Sequence, residues 1–238
     1  MNQSDEGNFA TILGEPHPLS MNSPPAMTRN TIAAMSMPPL RVVAFHEAGH
    51  AVVGEVAGVE CTSLTIDPDK EEGSFGHITH PDISGIFYEQ MEVQMYRHGD
   101  DEWPAIRDWV DANTKSSLGG PLAEQRITGA FNWDGAAADI ENISQKLLNV
   151  YGYEGPDYDE ALCPVMLRDP QMGVEEEDWS QIIHRVRELW DDEVEAILTE
   201  HWDWVELVAE LALKQGTLTG DQIRAARPSE DFDTDFFY

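Results

Sequence analysis

The sequence predicts an α+β domain that is mostly helical and carries a small β-sheet. Long segments repeat apolar residues at the spacing of an α-helix, whereas two short segments alternate in the manner of β-strands. Hydrophobic residues make up 41% of the 238 residues, which is enough for a folded core. A chain of this length suits one domain with irregular ends.

The first regular element is a helix that follows an irregular N-terminal arm, residues 1–38. The arm is rich in Ser, Asn, Pro and Met without a sustained period, which is typical of a flexible segment. Pro39 suits a helix start, and the run LRVVAFHEAGHAVVGEVA stops at Gly58, a natural C-terminal cap. The folded domain is predicted to span residues 39–226.

Two short strands are predicted after this helix. In CTSLTI, the residues Thr62, Leu64 and Ile66 alternate with Ser63 and Thr65, which is a strand pattern. The acidic turn DPDKEEG follows, and SFGHITH after it predicts a second strand. We expect the two strands to form a hairpin beside the first helix.

Helical spacing dominates the rest of the chain. Apolar residues predict a helix over 101–125, with a kink or break where Gly119, Gly120 and Pro121 interrupt it. A second helix is predicted over ADIENISQKLLNV, and an irregular acidic loop over YGYEGPDYDEALCP. Helical spacing then returns over a stretch too long for one helix, so we expect a break near Glu200.

The end of the chain combines a short helix and a tail. Thr219 and Gln222 have the spacing of a capping box, which predicts a helix start before DQIRAA. Residues 227–238 form an acidic, aromatic tail without a helical or strand period, and we expect it to be disordered or to dock onto a partner.

The charge of the chain excludes one class of partner. The formal net charge is −31, and such a surface repels the phosphate backbone of nucleic acids. It attracts cations or basic peptides, or serves solubility alone. The cysteines, Cys61 and Cys163, do not make a disulfide framework. The sequence shows no signal peptide and no apolar run long enough for a bilayer, so we expect a cytoplasmic protein without a membrane partner.

A metal-binding signature lies inside the first predicted helix. His46, Glu47 and His50 match the pattern H-E-x-x-H. Histidines four residues apart project from one face of a helix, so their ring nitrogens can converge on one Zn²⁺. Glu47 flanks the same face and is free to take a proton from a zinc-bound water, whose pKa the metal lowers to about 7. The pattern therefore predicts a zinc site with Glu47 as the catalytic base.

The third protein ligand of this site lies elsewhere in the chain. A longer signature with a third histidine would need glycine and histidine where this chain has Val53 and Val56. Three acidic residues on predicted helices remain as candidates, namely Glu124, Asp139 and Glu141.

Several ordered motifs resemble the peptidase domain of FtsH, a membrane-bound AAA+ zinc protease. The similarity covers about residues 40–226, and it continues through the closing helices. The motifs that carry it are HEAGHAVVG at 46–54, LTIDP at 64–68 with the later Gly76, LGGPLAE at 118–124 and TGAFNWDGAAADIENI at 128–143. HEAGH alone is moderately specific, whereas the ordered set is much more so.

The resemblance implies roles for residues outside the signature. It places Asp139 on the aspartate ligand of the family, and it matches Glu124 to a glutamate that can hold a ligating histidine. It also implies that a substrate peptide adds as a strand to a sheet edge at Gly76 to Thr79, where Gly76, His77 and Ile78 lie.

The departures from the family limit what the resemblance implies. The sequence contains no P-loop and no preceding transmembrane helix, and Pro121 replaces the arginine of LGGRAAE. We therefore expect an ATP-independent zinc endopeptidase that hydrolyses peptides or unfolded segments. The alternatives are a non-catalytic module that binds peptides or a partner, and a peptidase inhibited by its own N-terminal arm. The sequence does not indicate an oligomeric state.

Overall fold

The computed structural model describes residues 38–68, 74–81, 103–133, 135–136, 139 and 176–229. The predicted arm up to residue 37, the acidic loop and the tail from residue 230 lie outside this part, as does most of the helix predicted over 138–150. The elements in chain order are α1 (Leu40–Ala57), β1 (Ser63–Thr65), β2 (His77–Thr79), α2 (Trp103–Thr128), α3 (Glu176–Glu200), α4 (Trp202–Gln215), β3 (Thr217–Thr219) and α5 (Gly220–Ala225).

Helix α1 is the central element of the described fold. It is apolar around most of its circumference, and a helix of that kind is stable only when other elements surround it. Almost every residue from Val43 to Gly54 is buried. Gly58 has a φ of 93°, the left-handed conformation that ends the helix as predicted. The H-E-x-x-H residues thus lie on a largely buried helix.

Helices α1 and α2 pack closely through paired glycines. A β-carbon on Gly119 would lie 2.6 Å from the carbonyl oxygen of Gly49, so the two backbones approach more closely than any larger residue allows. Of the kink or break predicted at Gly119, Gly120 and Pro121, the break is wrong, because α2 continues to Thr128 with Pro121 inside it. Packing against α1 offsets the local cost of proline in a helix, which is about 3 kcal/mol.

The sheet has three antiparallel strands in the order β2-β1-β3. The predicted pairing of β1 with β2 is confirmed, with Leu64 opposite Ile78. The third strand, in which Leu218 lies opposite Leu64, was not predicted from the sequence. Strand β3 has only three residues, too few for an alternating pattern to be recognised. The predicted α+β class with a small sheet is confirmed in the described residues.

The C-terminal elements close the core behind α1. The break predicted near Glu200 is confirmed, since His201 separates α3 from α4. The capping box is also confirmed, because the Thr219 side chain accepts from the Gln222 amide and the Gln222 side chain accepts from the Thr219 amide. Arg224 of α5 pairs with Glu55 of α1 at 2.9 Å. None of the helices in the described ranges is long and apolar enough to cross a bilayer.

Candidate metal centre

Three side chains from two separate parts of the chain converge on one point. His46 and His50 project from the same face of α1, and Asp139 reaches them from a helical position beyond the end of α2. Nε2 of His46 lies 3.3 Å from Oδ2 of Asp139, and Nε2 of His50 lies 3.4 Å from Oδ1. One candidate ligand atom from each residue lies within 4.8 Å of the other two. The geometry therefore forms a compact triangle of nitrogen and oxygen donors.

His46 is held in place by a carboxylate on α2. Nδ1 of His46 lies 2.9 Å from Oε2 of the buried Glu124. Because a carboxylate accepts, Nδ1 of His46 carries a hydrogen, which leaves Nε2 as the nitrogen that can bind a metal. The family resemblance implied this function for Glu124, and the structure brings Glu124 into contact with His46.

His50 is held by the backbone of α2. Its Nδ1 lies 2.8 Å from the carbonyl oxygen of Ser116 and 3.3 Å from the amide nitrogen of Gly120. We assign a hydrogen to Nδ1, since the shorter contact requires a donor, and Nε2 is again the nitrogen that can bind a metal. A β-carbon on Gly120 would lie 2.5 Å from Cε1 of His50, so only glycine leaves room for the ring.

Glu47 lies beside the triangle without belonging to it. Its side chain is buried, and it interacts electrostatically with both histidines and with Asp139. Burial raises the pKa of Glu47 above its ordinary value, although the two histidines oppose the shift. Gly76 approaches from the other side, and a β-carbon there would lie 2.7 Å from Oε1 of Glu47. The carboxylate therefore sits in a narrow space between α1 and the start of β2.

Asp139 and the two histidines stabilise one another's charged forms. Burial disfavours the imidazolium of His46, but hydrogen bonds to Asp139 and Glu124 outweigh that effect and raise its pKa to about 10. Burial likewise disfavours the charged form of Asp139, and attraction to His50 and His46 still holds its pKa well below the usual range. The cluster therefore favours a positive charge next to the Asp139 carboxylate.

The donor set fits a zinc ion. Zinc takes imidazole nitrogen and carboxylate oxygen at about 2.0–2.2 Å, so two ligands of a tetrahedral ion lie about 3.3 Å apart. The observed separations are 3.3 Å from Nε2 of His46 to Oδ2 of Asp139 and 3.4 Å from Nε2 of His50 to Oδ1, the other oxygen of the same carboxylate. In addition, both imidazoles have a partner on Nδ1, which is the arrangement expected around a ligating histidine. The residues present can therefore hold a metal ion.

The remaining predicted site residues lie on or next to β2. Gly76 lies against the side chain of Glu47, His77 is exposed at the start of the strand, and Ile78 packs against the core. Glu141, the third candidate ligand, lies outside the described residues. His77 does not join the converging group; within the described part of the chain, that group consists of His46, His50 and Asp139.

Sequence reasoning missed Asn132 and the backbone around His50. Nδ2 of Asn132 donates to Oε1 of Glu124 at 2.9 Å. A polar residue before a helical turn suggests a helix cap, but nothing in the sequence indicates that its side chain also reaches α2. No sequence signal marks Ser116 as the partner of His50, because the contact is to a backbone carbonyl and every residue has a backbone carbonyl.

Comparison with known proteins adds no family assignment, since no protein-family model matches the chain and no curated protein shows significant similarity to it.

Proposed function

We propose that this protein is a zinc-dependent, ATP-independent endopeptidase that hydrolyses peptides or unfolded segments of proteins. The observation that carries the proposal is the convergence of His46, His50 and Asp139 with the buried carboxylate of Glu47 beside them. The motifs that resemble the FtsH peptidase domain agree with this arrangement. Metal-dependent hydrolases of several kinds share such donor sets. The choice of a protease among them therefore rests on these motifs.

His46, His50 and Asp139 would hold the zinc ion through two Nε2 atoms and a carboxylate oxygen. When bound, zinc polarises a carbonyl oxygen as a Lewis acid and lowers the pKa of a coordinated water to about 7. Glu124 and the Ser116 carbonyl keep the two imidazoles in the tautomer that offers Nε2. These contacts hold the ligands in position before the substrate arrives.

Glu47 has the position and the surroundings of a general base. It is next to His46 in the chain but projects outside the ligand triangle, so its carboxylate is free to accept the proton of an attacking water. The same group can then return the proton to the amine that leaves when the peptide bond breaks. The backbone at Gly76 lies against the side chains of Glu47 and Val43, which limits the space open to the carboxylate.

Strand β2 offers an edge for an extended peptide. The amide of Gly220 donates to the carbonyl of Thr62, and the amide of Ile66 donates to the carbonyl of Gly216, so the residues that flank β1 are bonded to the residues that flank β3. The carbonyl of Thr79 accepts from the amide of Thr62, so the backbone of Thr79 faces β1 and the backbone groups of its neighbour Ile78 point to the opposite edge. Among the described strands, β2 lies at this edge of the sheet. A peptide paired there would pass close to Gly76 and Glu47.

The limits on the substrate follow from the rest of the chain. The sequence contains no nucleotide-binding P-loop, so nothing in it supplies ATP-driven unfolding. An extended peptide must reach the edge of β2 in order to be cleaved. We therefore expect cleavage of short peptides and unfolded proteins, and no cleavage of stably folded ones.

The test is the metal dependence of cleavage in the absence of ATP. Zinc-loaded protein should degrade an unfolded substrate such as β-casein, lose that activity after chelation and regain it with Zn²⁺ but not with Mg²⁺. Asp139→Asn should lose both zinc and activity, whereas Asp203→Asn, on the exposed start of α4, should keep both. Cleavage that survives complete removal of the metal would contradict the proposal.

A further inference from the structure

We propose that Asn132 is a positioning residue for the metal centre, because its side chain links the histidine ligand His46 to the segment that carries Asp139. The inference rests on the zinc site proposed above. It concerns how ligands from separate parts of the chain are brought to the same point. Asn132 itself is not a ligand.

One end of the Asn132 amide fixes Glu124. Nδ2 of Asn132 donates to Oε1 of Glu124 at 2.9 Å, while Oε2 of the same carboxylate lies 2.9 Å from Nδ1 of His46. Each oxygen of this buried carboxylate thus has its own donor. The two contacts together fix the orientation of the carboxylate plane. Rotation of Glu124 would break the contact with Asn132 or the contact with His46.

The other end of the amide begins the helical turn that leads to Asp139. Oδ1 of Asn132 accepts from the backbone amide of Gly135 at 3.1 Å, which is the bond of a helix N-cap. The backbone carbonyl of Asn132 also accepts from the amide of Ala136 at 3.0 Å. Gly135, Ala136 and Asp139 all have helical backbone. The start of this segment is therefore fixed relative to Glu124.

The residues on both sides of Asn132 are anchored to α3. The guanidinium of Arg187 lies 4.0 Å from the ring centroid of Phe131 and 5.4 Å from that of Trp133. Nε of Arg187 is in turn 2.7 Å from Oδ2 of Asp191. Cation–π contacts of this kind stabilise by about 0.5–1 kcal/mol each at exposed sites. They hold the backbone of Asn132 where its side chain reaches Glu124.

The chemistry of these two contacts requires an amide. One atom must donate to a carboxylate and another must accept from a backbone N–H, and Asn offers both at this length. Gly135 leaves room for this group, because a β-carbon there would lie 2.8 Å from Nδ2 of Asn132. An aspartate at position 132 would keep the acceptor but place a second carboxylate against Glu124.

Zinc affinity of the Asn132 variants tests the inference. Asn132→Ser keeps an oxygen for the helix cap and removes the donor to Glu124, and Asn132→Asp keeps the cap and adds repulsion. We expect both to bind zinc about 10–100-fold more weakly than wild type, measured by competition with a chromophoric chelator. The melting temperature of zinc-free Asn132→Ser should stay close to that of zinc-free wild type, since the cap remains.

A swap of the two polar groups separates positioning from a structural role. In the double variant Asn132→Asp with Glu124→Gln, the introduced amide can accept from His46 and donate to the introduced carboxylate, so the chain of hydrogen bonds and its net charge are restored. We expect the double variant to bind zinc at least about tenfold more tightly than Asn132→Asp alone.

The outcomes of these measurements are distinct. Wild-type affinity in both single variants would overturn the inference, as would a double variant no better than Asn132→Asp. A wild-type protein that binds no zinc would overturn the proposed metal centre, and the inference with it. Weaker binding in the single variants with recovery in the double variant would establish that Asn132 acts through Glu124.

Discussion

A β-carbon added to Gly76 would lie 2.7 Å from Oε1 of Glu47, because the backbone just before β2 runs against this carboxylate. The same β-carbon would lie 2.9 Å from Cγ1 of Val43, so it could not be accommodated by a small shift towards α1. Glycine at position 76 thus leaves the space that Glu47 occupies. This contact joins the sheet edge, where we expect the substrate, to the residue that we propose as the base.

Gly76→Ala should therefore impair cleavage while zinc binding persists. A displacement of Glu47 by about 1 Å is expected to lower the turnover number for peptide cleavage by about 100-fold. The measurement is the rate of β-casein cleavage together with the zinc content of the same preparation. Gly58→Ala is the matched control, since no atom lies within 4 Å of the added β-carbon. It should lower stability by about 1 kcal/mol and leave cleavage by the folded protein unchanged. Wild-type turnover in Gly76→Ala would contradict this account of the space around Glu47.

Gly120→Ala should displace the ring of His50 and weaken zinc binding. The added β-carbon would lie 2.5 Å from Cε1 of His50, which is itself held by the Ser116 carbonyl and cannot move away freely. We expect zinc affinity to fall by about 100-fold or more. Gly129→Ala serves as the control, because its β-carbon would meet no atom within 4 Å; its φ of 81° lowers stability by about 1–2 kcal/mol without a contact to His50. Equal zinc affinity in the two variants would show that Gly120 does not determine the position of His50.

Gly49→Ala should lower the free energy of unfolding. Its β-carbon would lie 2.5 Å from Cβ of Ala123, so α1 and α2 would have to separate. Overpacking of a well-packed core typically costs about 1–3 kcal/mol. Urea unfolding of the zinc-free protein measures the change without a contribution from metal binding. A change below about 0.5 kcal/mol, the range of ordinary surface substitutions, would mean that the helices do not depend on this close approach.

Cys61 should be unreactive towards thiol reagents in the folded protein. Its side chain is fully buried, and burial together with the nearby Glu55 raises the pKa of the thiol to about 12. At a mildly alkaline pH of about 8, almost no thiolate is then present to react. The experiment uses Cys163→Ser, so that Cys61 is the only remaining thiol. We expect no modification of the native protein and one thiol modified per chain in urea. Rapid modification of the native protein would contradict the burial of Cys61.

The parts of the fold that could be predicted are those with a local pattern. Helix α1, its glycine cap and the H-E-x-x-H residues follow from a continuous run of residues with one period. The capping box at Thr219 is likewise a pattern of four residues. Strand β3 gave no such signal, because its three residues are defined by the register with β1. Pro121 gave a misleading signal for the end of a helix, because the packing of α2 against α1 overrides the helix-breaking effect of proline.

The candidate site could be predicted only where its residues are close in the chain. His46, Glu47 and His50 are fixed by helical spacing, whereas Asp139 emerged from family resemblance and not from any spacing rule. Asn132 and Gly76 become recognisable only when the structure shows what they contact. Their contacts depend on how α1, α2 and the sheet pack together, and no periodic pattern in one sequence encodes that packing.

The most direct test of the central claim compares wild type with Glu47→Gln, both loaded with zinc, in the cleavage of β-casein without ATP. Glutamine has the same size as glutamate but cannot accept the proton of the attacking water. We predict that both proteins bind one zinc ion per chain and that Glu47→Gln loses activity by at least about 100-fold. Cleavage by Glu47→Gln at the wild-type rate, or no cleavage by either zinc-loaded protein, would contradict the account.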